Sequence, residues 1–513
     1  MRSLLVLTFV FVVVAAAFAQ NSSRRTTAAR GGIPTGYWPE ERSRAVLDKT
    51  QTLRLAPELA HLTEGERVAV GKLLEVGKIS QEIFEMQRHP QARASVARLS
   101  QLDKQLGSPA ATQNLLSLYR LSQGPIATTL ENKREPFLPV DPTQPGKGVY
   151  PWGVKKEEIE TFLAAHPERR ESILDQRTVV RRSTAENLRR DLGKLRQYPV
   201  LDTLHPSLRR DLEATLARPD AKGFYAVPYS VAYADELIRA HALLNEAADA
   251  LQKDDEEFAR FLRNRSRDLL SNDYESGDAA WVTGRFKHLN AQIGSYEVYD
   301  DELFGVKTFF AFSLLSTRPQ ETETLRAAMK GLQALEDSLP FEQHKRVRED
   351  IPVGVYDVIA DFGQARGPNT ATILPNESYL ARRYGRTILL RANIMRHPEM
   401  FTGTSSAWAA AVAPEHKNEL TPDGNFYRTL WHEVGHYLGV DLTKGGQDLD
   451  TVLQDTSSLL EEMKADLVSL YVGEALRKQG YYTDERLRAL YASGINRVLQ
   501  NNKPRRDQPY NTM

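Results

Sequence analysis

Apolar positions recur at three- and four-residue spacing along most of the chain, which predicts amphipathic helices with charged outer faces. These predicted helices cover residues 42–54, 64–88, 94–106, 110–122, 155–176, 183–195, 206–217, 231–250 and 254–271. Runs that favour strands are fewer and lie at 223–230, 288–299, 353–362 and 386–391. The pattern therefore predicts a mostly α protein of the α+β class with a small β element.

The first residues of the chain predict an export signal rather than part of the fold. An apolar run from Leu4 to Phe18 ends at a small-x-small cleavage site formed by Ala17 and Ala19. We therefore expect a signal peptide at residues 1–19 and a mature protein that is exported, either periplasmic or secreted. The alternative is an uncleaved anchor, which the short length of the run disfavours. Residues 21–32 are expected to form a flexible leader.

Composition restricts the chemistry that the chain can perform. There are no cysteines, which excludes disulfides, cysteine nucleophiles and thiolate zinc sites and leaves His, Asp and Glu as metal ligands. Lys plus Arg and Asp plus Glu both total 67, so no overall positive field would attract nucleic acid or anionic lipid. We expect no nucleic-acid partner and no stable membrane association after signal cleavage.

The most informative segment of the chain contains the pattern His-Glu-x-x-His. On a helix, His432 and His436 lie four residues apart on one face, so both imidazoles can reach one metal ion. Glu433 is then placed to take a proton from water at the metal. Asn425 and Gly439 are suitable caps for a helix over residues 426–438, whose buried stripe is predicted to be Phe426, Leu430, Val434 and Leu438.

A third ligand is expected from a carboxylate on a later helix. Glu462 and Asp466 lie four residues apart, where two negative charges would repel each other unless a cation lay beside them. We therefore predict that Glu462 is the ligand and that Asp466 accepts the N–H of a metal-bound histidine. Ser458 and Glu461 form a capping box, which gives Glu461 a structural role, but Glu461 as the ligand is the main alternative. Two histidines and one carboxylate leave a coordination position open, as in catalytic zinc sites.

Several segments of this chain resemble a known family of metallopeptidases. Residues 432–436 and 461–467 resemble the zinc segments of the dipeptidyl peptidase III metallopeptidases, especially their bacterial exported branch. Residues 293–305 look like the family's substrate-cleft segment, and residues 372–376 look like its edge strand. The likeness runs from about Tyr150 onward with the motifs in the family's order.

The resemblance implies a two-lobed fold, with a helical lobe that carries zinc and a lobe with a small β core, separated by a peptide cleft. We expect a leader and helical region at residues 20–140, the lower lobe at 141–305 and the catalytic zinc lobe at 306–513. The proline-rich stretch from Pro136 to Pro151 is the predicted linker. The chain stops at Met513, where the family continues, so we expect it to lack a C-terminal segment.

Carried over to this sequence, the resemblance implies one Zn²⁺ per chain, bound by His432, His436 and Glu462. Glu433 is implied as the general base, and Asp466 and Glu461 are expected to surround these ligands.

The same resemblance assigns the substrate contacts. Glu297 is implied to receive the free N-terminal ammonium of a peptide. Tyr299 is implied to hydrogen-bond the scissile carbonyl as negative charge develops on its oxygen. Asn376 is implied to hold the peptide near its N-terminus.

Three positions depart from the family's pattern. Ile373 stands where the family has the first asparagine of its edge strand, and Ala311 stands where it usually has a second glutamate in the cleft. Arg506 stands where the family's later segment would supply a histidine. These departures remove contacts to the peptide and leave the zinc residues unchanged.

The sequence therefore predicts a zinc-dependent peptidase that releases dipeptides from the free N-terminus of peptides. Two alternatives remain, a zinc hydrolase of other amide substrates and a non-catalytic peptide-binding relative. The expected partner is a peptide substrate, and the expected oligomeric state is a monomer or a weak dimer.

Overall fold

The computed structural model describes residues 32–347, 351–367, 370–453 and 456–500. The predicted signal peptide, the leader up to residue 31 and Arg506 lie outside the described residues. Helices dominate the described part and are joined by small sheets, so the predicted mostly α member of the α+β class is confirmed. Within the described ranges, no helix combines the length and apolar character needed to cross a membrane.

The described residues divide into two compact units, of which the first combines residues up to Thr52 with Glu85–Gly153. Its helices are Glu40–Leu47, Ala92–Leu106 and Ala110–Ser122. Strands β1 (Ile126–Thr128) and β2 (Arg134–Pro136) form an antiparallel pair. Aromatic and aliphatic side chains make its core, namely Trp38, Leu99, Leu115, Leu118, Tyr119, Ala127, Phe137 and Leu138.

The proline-rich stretch from Pro136 to Pro151 packs within this first unit instead of forming an extended linker. Phe137, Leu138 and Val149 are buried, and the Gly148 N–H donates to the Gln87 carbonyl at 2.6 Å. Burial of these apolar side chains is favourable, whereas an exposed linker would leave them in contact with water.

The second unit combines Leu53–Phe84 with the described residues from Val154 onward. The helix Glu64–Arg88 begins in this unit. The remaining helices and single helical turns are Lys156–Ala165, Pro167–Arg169, Arg170–Ile173, Ala185–Gln197, Pro199–Leu204, Leu208–Ala217, Tyr229–Ala232, Ala234–Leu251, Glu256–Ser271, Glu275–Thr283, Pro319–Met329, Leu332–Asp337, Ser378–Tyr384, Ala392–Met395, Pro398–Ala411, Pro414–His416, Pro422–Gly435, Leu449–Leu453, Ser457–Tyr471, Gly473–Lys478 and Asp484–Gln500.

Two sheets belong to the second unit. Their strands are β3 (Thr178–Ser183), β4 (Asp220–Pro228), β5 (Leu289–Glu297), β6 (Phe309–Thr317), β7 (Val353–Gly363), β8 (Ala371–Leu374) and β9 (Thr387–Arg391). Strands β3 and β4 form an antiparallel pair. The other sheet has the order β5-β6-β7-β9-β8, in which β7 and β9 are parallel and the other neighbours are antiparallel. This sheet has strands on both sides of residue 305, and the predicted domain boundaries remain a prediction.

The helix that contains the His-Glu-x-x-His pattern packs against this sheet. Its predicted apolar stripe is fully buried, which confirms that part of the helix prediction. Together the stripe and the sheet build one hydrophobic core, which includes Phe426, Leu430, Val434 and Leu438 from the stripe and Val353, Val355, Ile388 and Leu390 from β7 and β9. The core therefore fixes the position of both histidines relative to the sheet.

Candidate metal centre and substrate site

The histidine helix (Pro422–Gly435) begins and ends earlier than the sequence suggested. The Thr421 hydroxyl accepts from the Gly424 N–H at 3.1 Å, and Pro422 occupies the first helical position. Asn425 is therefore not the N-cap. Its side chain accepts from the Ser493 hydroxyl at 2.6 Å.

Gly439 is likewise not the C-cap of the histidine helix. The helix ends at Gly435, and Gly439 follows in the exit turn with a φ of +83°. Its N–H donates to the Glu336 carboxylate at 2.7 Å. His436 thus lies just past the last helical residue, although its N–H still bonds the His432 carbonyl.

The acidic helix (Ser457–Tyr471) crosses the histidine helix at a point of very close approach. A Cβ atom built on Gly435 would lie 3.0 Å from the Ala465 carbonyl oxygen. Glu462 and Asp466, which lie three positions before Ala465 and one position after it, therefore face the two imidazoles. These are the two carboxylates predicted from the sequence.

The three predicted metal ligands converge. One ligand atom from each of His432, His436 and Glu462 lies within 4.8 Å of the others. The His432 Nε2 atom is 3.2 Å from Glu462 Oε2. Two imidazole nitrogens and one carboxylate oxygen at this spacing fit a zinc ion and leave room for a further ligand.

The Nδ1 atom of each imidazole is hydrogen-bonded to a different carboxylate. His432 Nδ1 lies 2.7 Å from Asp466 Oδ1, and His436 Nδ1 lies 2.8 Å from Glu461 Oε1. Such carboxylate–histidine pairs fix the ring orientation and leave the Nε2 atoms for a metal. Because Glu461 also accepts from Lys464 at 2.9 Å, its carboxylate is engaged away from the centre, which favours Glu462 as the ligand. The Ser458 side chain of the predicted capping box lies outside the described residues.

Asp466 is the most strongly held carboxylate near the centre. Arg428 donates to its Oδ1 atom at 2.9 Å, and Arg497 donates to its Oδ2 atom at 2.6 Å. Burial opposes ionisation, but the hydrogen bond from His432 and the two arginines outweigh it and keep the pKa of Asp466 far below its usual range. A carboxylate fixed in its charged form holds the His432 imidazole in one orientation.

The pKa values of the centre match its predicted roles. Burial raises the pKa of Glu433, although the neighbouring imidazoles oppose this shift. A carboxyl whose pKa lies nearer to neutral is better suited to take up and release a proton. Burial lowers the pKa of His432, but Asp466 and Glu462 outweigh it and raise that pKa to about 9, so a metal ion must compete with a proton for this ring.

Residues 293–305, which resemble the family's substrate-cleft segment, include an irregularity in β5. The β5–β6 register shifts between Ser295 and Glu297, which leaves Tyr296 as the extra residue of a β-bulge. The Tyr296 hydroxyl donates to the buried Asp278 at 2.7 Å. Gly294 just before it has a φ of +135°, a conformation that favours glycine. The bulge therefore redirects the chain at Glu297.

Glu297, Tyr299 and Asn376 form one cluster. Asn376 and Tyr299 both hydrogen-bond the Glu297 carboxylate, but burial outweighs them and raises its pKa. Asn376 also donates to the Tyr296 carbonyl at 3.3 Å. The structure thus brings together three residues from two segments that are distant in the sequence and that the resemblance had connected.

Tyr299 links this cluster to the metal centre. Partial removal from water, the Glu297 carboxylate and the charges of Glu462 and Glu433 raise the pKa of Tyr299 to about 12. The ring is nevertheless 80% exposed, so its hydroxyl is accessible to a substrate. A phenol with this pKa is protonated at neutral pH and can donate a hydrogen bond.

One carboxylate organises the backbone of the loop that carries Tyr299. Asp301 accepts from the backbone N–H groups of Leu303, Phe304, Val306 and Lys307 at 2.8–3.1 Å. Four such bonds hold the loop without a helix or strand. The sequence had suggested no structural role for Asp301.

The positions that depart from the family lie in the sheet. Ile373 is in β8 opposite Ile388, and Ala311 is buried in β6 between Gly294 and Gly363. Neither offers a polar group to a peptide.

Comparisons with known proteins bear on the family and the fold of the chain. No family model matches the sequence. Nudix hydrolase 3 of Arabidopsis thaliana is 25% identical in an alignment of 481 residues that covers 87% of this chain and 59% of that protein. This chain therefore spans 59% of the length of the curated relative that it matches.

Two solved structures share the fold. DPP III from Caldithrix abyssi matches with a TM-score of 0.70 and 24% identity, over 89% of this chain and 81% of that chain. Dipeptidyl-peptidase III from Corallococcus sp. strain EGB matches with a TM-score of 0.71 and 24% identity, over 93% of this chain and 82% of that chain. The chain has the dipeptidyl peptidase III fold. The resemblance seen in four short motifs thus extends to the fold of most of this chain.

Proposed function

We propose that this protein is a zinc-dependent peptidase of the dipeptidyl peptidase III type, which releases dipeptides from the free N-terminus of peptides. The observation that carries the proposal is the convergence of His432, His436 and Glu462. The dipeptidyl peptidase III fold supports it. This chain spans 59% of the Arabidopsis relative, whose name therefore describes a longer protein.

His432, His436 and Glu462 would hold the zinc ion, with Asp466 and Glu461 fixing the two rings. When bound, zinc lowers the pKa of water and polarises a carbonyl group. The chain has no cysteine, so this all-nitrogen and oxygen donor set is the kind of site it can build.

Glu433 moves the proton. Its carboxylate takes a proton from the attacking water and passes it to the nitrogen of the leaving amine. The raised pKa of Glu433 suits both halves of this transfer, because the group must be ionised first and protonated afterwards.

Tyr299 stabilises the negative charge that develops on the carbonyl oxygen. Its hydroxyl is accessible and remains protonated at neutral pH, as a hydrogen-bond donor must be. Loss of one such donor costs on the order of a hundredfold or more in turnover.

Glu297 and Asn376 select the peptide's N-terminus. The Glu297 carboxylate pairs with the free ammonium, and the Asn376 amide binds the adjacent peptide group. An ammonium held at this place sets the distance to the scissile bond and favours release of a dipeptide over internal cleavage.

A dipeptidyl-naphthylamide assay combined with zinc measurement tests the proposal. We expect one zinc per chain and release of naphthylamine from substrates with a free N-terminus, with little release from N-acetylated ones. Equal rates on blocked substrates would point to a zinc hydrolase of other amides. Zinc binding without turnover, together with peptide binding, would point to a non-catalytic peptide-binding protein.

A further inference from the structure

The bracing segment, residues 175–178, follows the helix Arg170–Ile173 and ends at the first residue of β3. It contacts several parts of the proposed substrate site. None of its residues was singled out by the sequence. Its side chains and backbone touch the end of β5, the segment that carries Asn376 and the far end of the Tyr299 loop. It therefore joins pieces that are distant in sequence.

Arg177 makes two of these contacts through its side chain. Its Nη2 atom donates to Glu377 Oε1 at 2.6 Å, and its Nε atom donates to the Ser295 carbonyl at 3.3 Å. Glu377 directly follows Asn376, and Ser295 lies two residues before Glu297. One guanidinium thus connects the two segments that carry Glu297, the proposed ammonium partner, and Asn376, the proposed contact to the adjacent peptide group.

The other end of the Tyr299 loop is tied to the same segment. Lys307 Nζ donates to the Asp175 carbonyl and to the Thr178 hydroxyl, both at 2.6 Å. The Thr308 N–H donates to the Gln176 carbonyl at 2.9 Å. The loop between Glu297 and Lys307 is therefore anchored to the bracing segment at both of its ends.

The bracing segment is itself held in place. The Arg177 carbonyl accepts from the Tyr229 N–H at 2.9 Å and from the Asn272 side chain at 3.0 Å. The Arg177 guanidinium is buried and lies 3.8 Å from the centre of the Tyr274 ring. An arginine with its backbone and side chain fixed in this way can transmit a defined position to its partners.

We propose that Arg177 is a positioning residue that fixes the distance between Glu297 and Asn376, and so determines where the peptide's ammonium binds. The inference rests on the proposed function for the identity of the ligand. A buried ion pair is weak evidence for stability alone. Here both partners of the guanidinium adjoin substrate residues, so a change in the pair changes the site.

Arg177→Met removes the charge and keeps much of the volume, and Glu377→Gln tests the same contact from its more exposed side. We expect either variant to raise KM for dipeptidyl-naphthylamides about tenfold, with a smaller change in kcat and unchanged zinc content. Arg177→Lys should recover only part of the loss, because lysine cannot donate to both partners in the same geometry. Arg182→Met is the matched control, since Arg182 pairs with Glu158 and not with the substrate segments.

Hydrogen–deuterium exchange provides a readout that does not depend on activity. Glu377→Gln and Arg177→Met should speed backbone exchange in residues 295–308 and in the segment around Asn376, whereas Arg182→Met should not. Unchanged exchange in both segments, or faster exchange with an unchanged KM, would overturn the proposal. If the wild-type protein releases no dipeptide, the proposed function fails, and the exchange data still decide whether Arg177 holds the two segments together.

Discussion

Gly435 of the histidine helix touches the backbone of Ala465 in the acidic helix. A Cβ atom at Gly435 would lie 3.0 Å from the Ala465 carbonyl oxygen and 3.1 Å from its Cα atom. This contact sets the separation of the two helices, and with it the distance between the imidazoles and Glu462.

Gly435→Ala should weaken zinc binding. The added methyl group must push the helices apart by a few tenths of an ångström, which disturbs a site that needs close ligand geometry. We expect the zinc dissociation constant to rise about tenfold, measured by competition with a chelator. Gly403→Ala is the control, because Gly403 lies in a helix with open space around it. Equal zinc affinities in the two variants would contradict this role of Gly435.

Glu433→Gln should separate metal binding from turnover. The amide cannot accept the proton, so kcat should fall by a factor of about a hundred to ten thousand. Zinc content and melting temperature should stay close to those of the wild type, since Glu433 is not among the three converging ligands. A variant with near-normal kcat would remove Glu433 from the mechanism.

Paired substitutions distinguish the two candidate acids. Glu462→Ala should abolish stoichiometric zinc binding, because it removes one of three protein ligands. Glu461→Ala should weaken binding about tenfold, because it removes only the acceptor of the His436 ring. Zinc analysis after dialysis measures both. The reverse order of effects would make Glu461 the ligand.

Asp466→Asn tests the support of His432. An amide oxygen is a weaker acceptor and no longer balances Arg428 and Arg497. Zinc affinity should fall by a factor of about ten to a hundred. Asp484→Asn is the matched control, because the Asp484 side chain is 72% exposed and lies outside this network.

Binding of a free N-terminus should depend on pH through Glu297. The ionised carboxylate is the form that pairs with an ammonium, and burial raises its pKa above the ordinary value of 4.5. As the pH falls through this raised pKa, Glu297 takes up a proton and KM for free dipeptidyl substrates should rise. Glu297→Gln should show a high KM that no longer changes in this range. An identical pH profile of KM in both proteins would exclude Glu297 as the ammonium partner.

The sequence was sufficient to predict features whose pattern lies within a single short segment. The helix Glu64–Arg88 was predicted with its observed bounds, and the histidine spacing led to the cluster that the structure shows. Strand β6 was not predicted, although the equally buried strands β5 and β9 were. The apolar run of β6 has no alternation to reveal a strand. The helix predicted at 155–176 is broken at Pro167, which has no N–H to continue it.

The residues that brace the site could not be read from the sequence. Arg177 contacts partners 118 and 200 positions away, and Lys307 contacts carbonyls 132 and 134 positions away. No periodicity or spacing rule connects such positions. The family resemblance reached Glu297 and Asn376 because those residues lie within its motifs, and it did not reach the arginine that joins them.

The Asp301 carboxylate gives the Tyr299 loop an internal scaffold that needs no help from the outward-facing side chains. Substitution of Tyr299 should therefore have little effect on folding, because the backbone bonds that shape the loop would survive. A library randomised at other exposed positions of the loop, with Asp301 and Tyr299 kept, should yield mostly soluble proteins with altered peptide preference. The loop is thus a natural starting point for engineering new selectivity onto an unchanged metal centre.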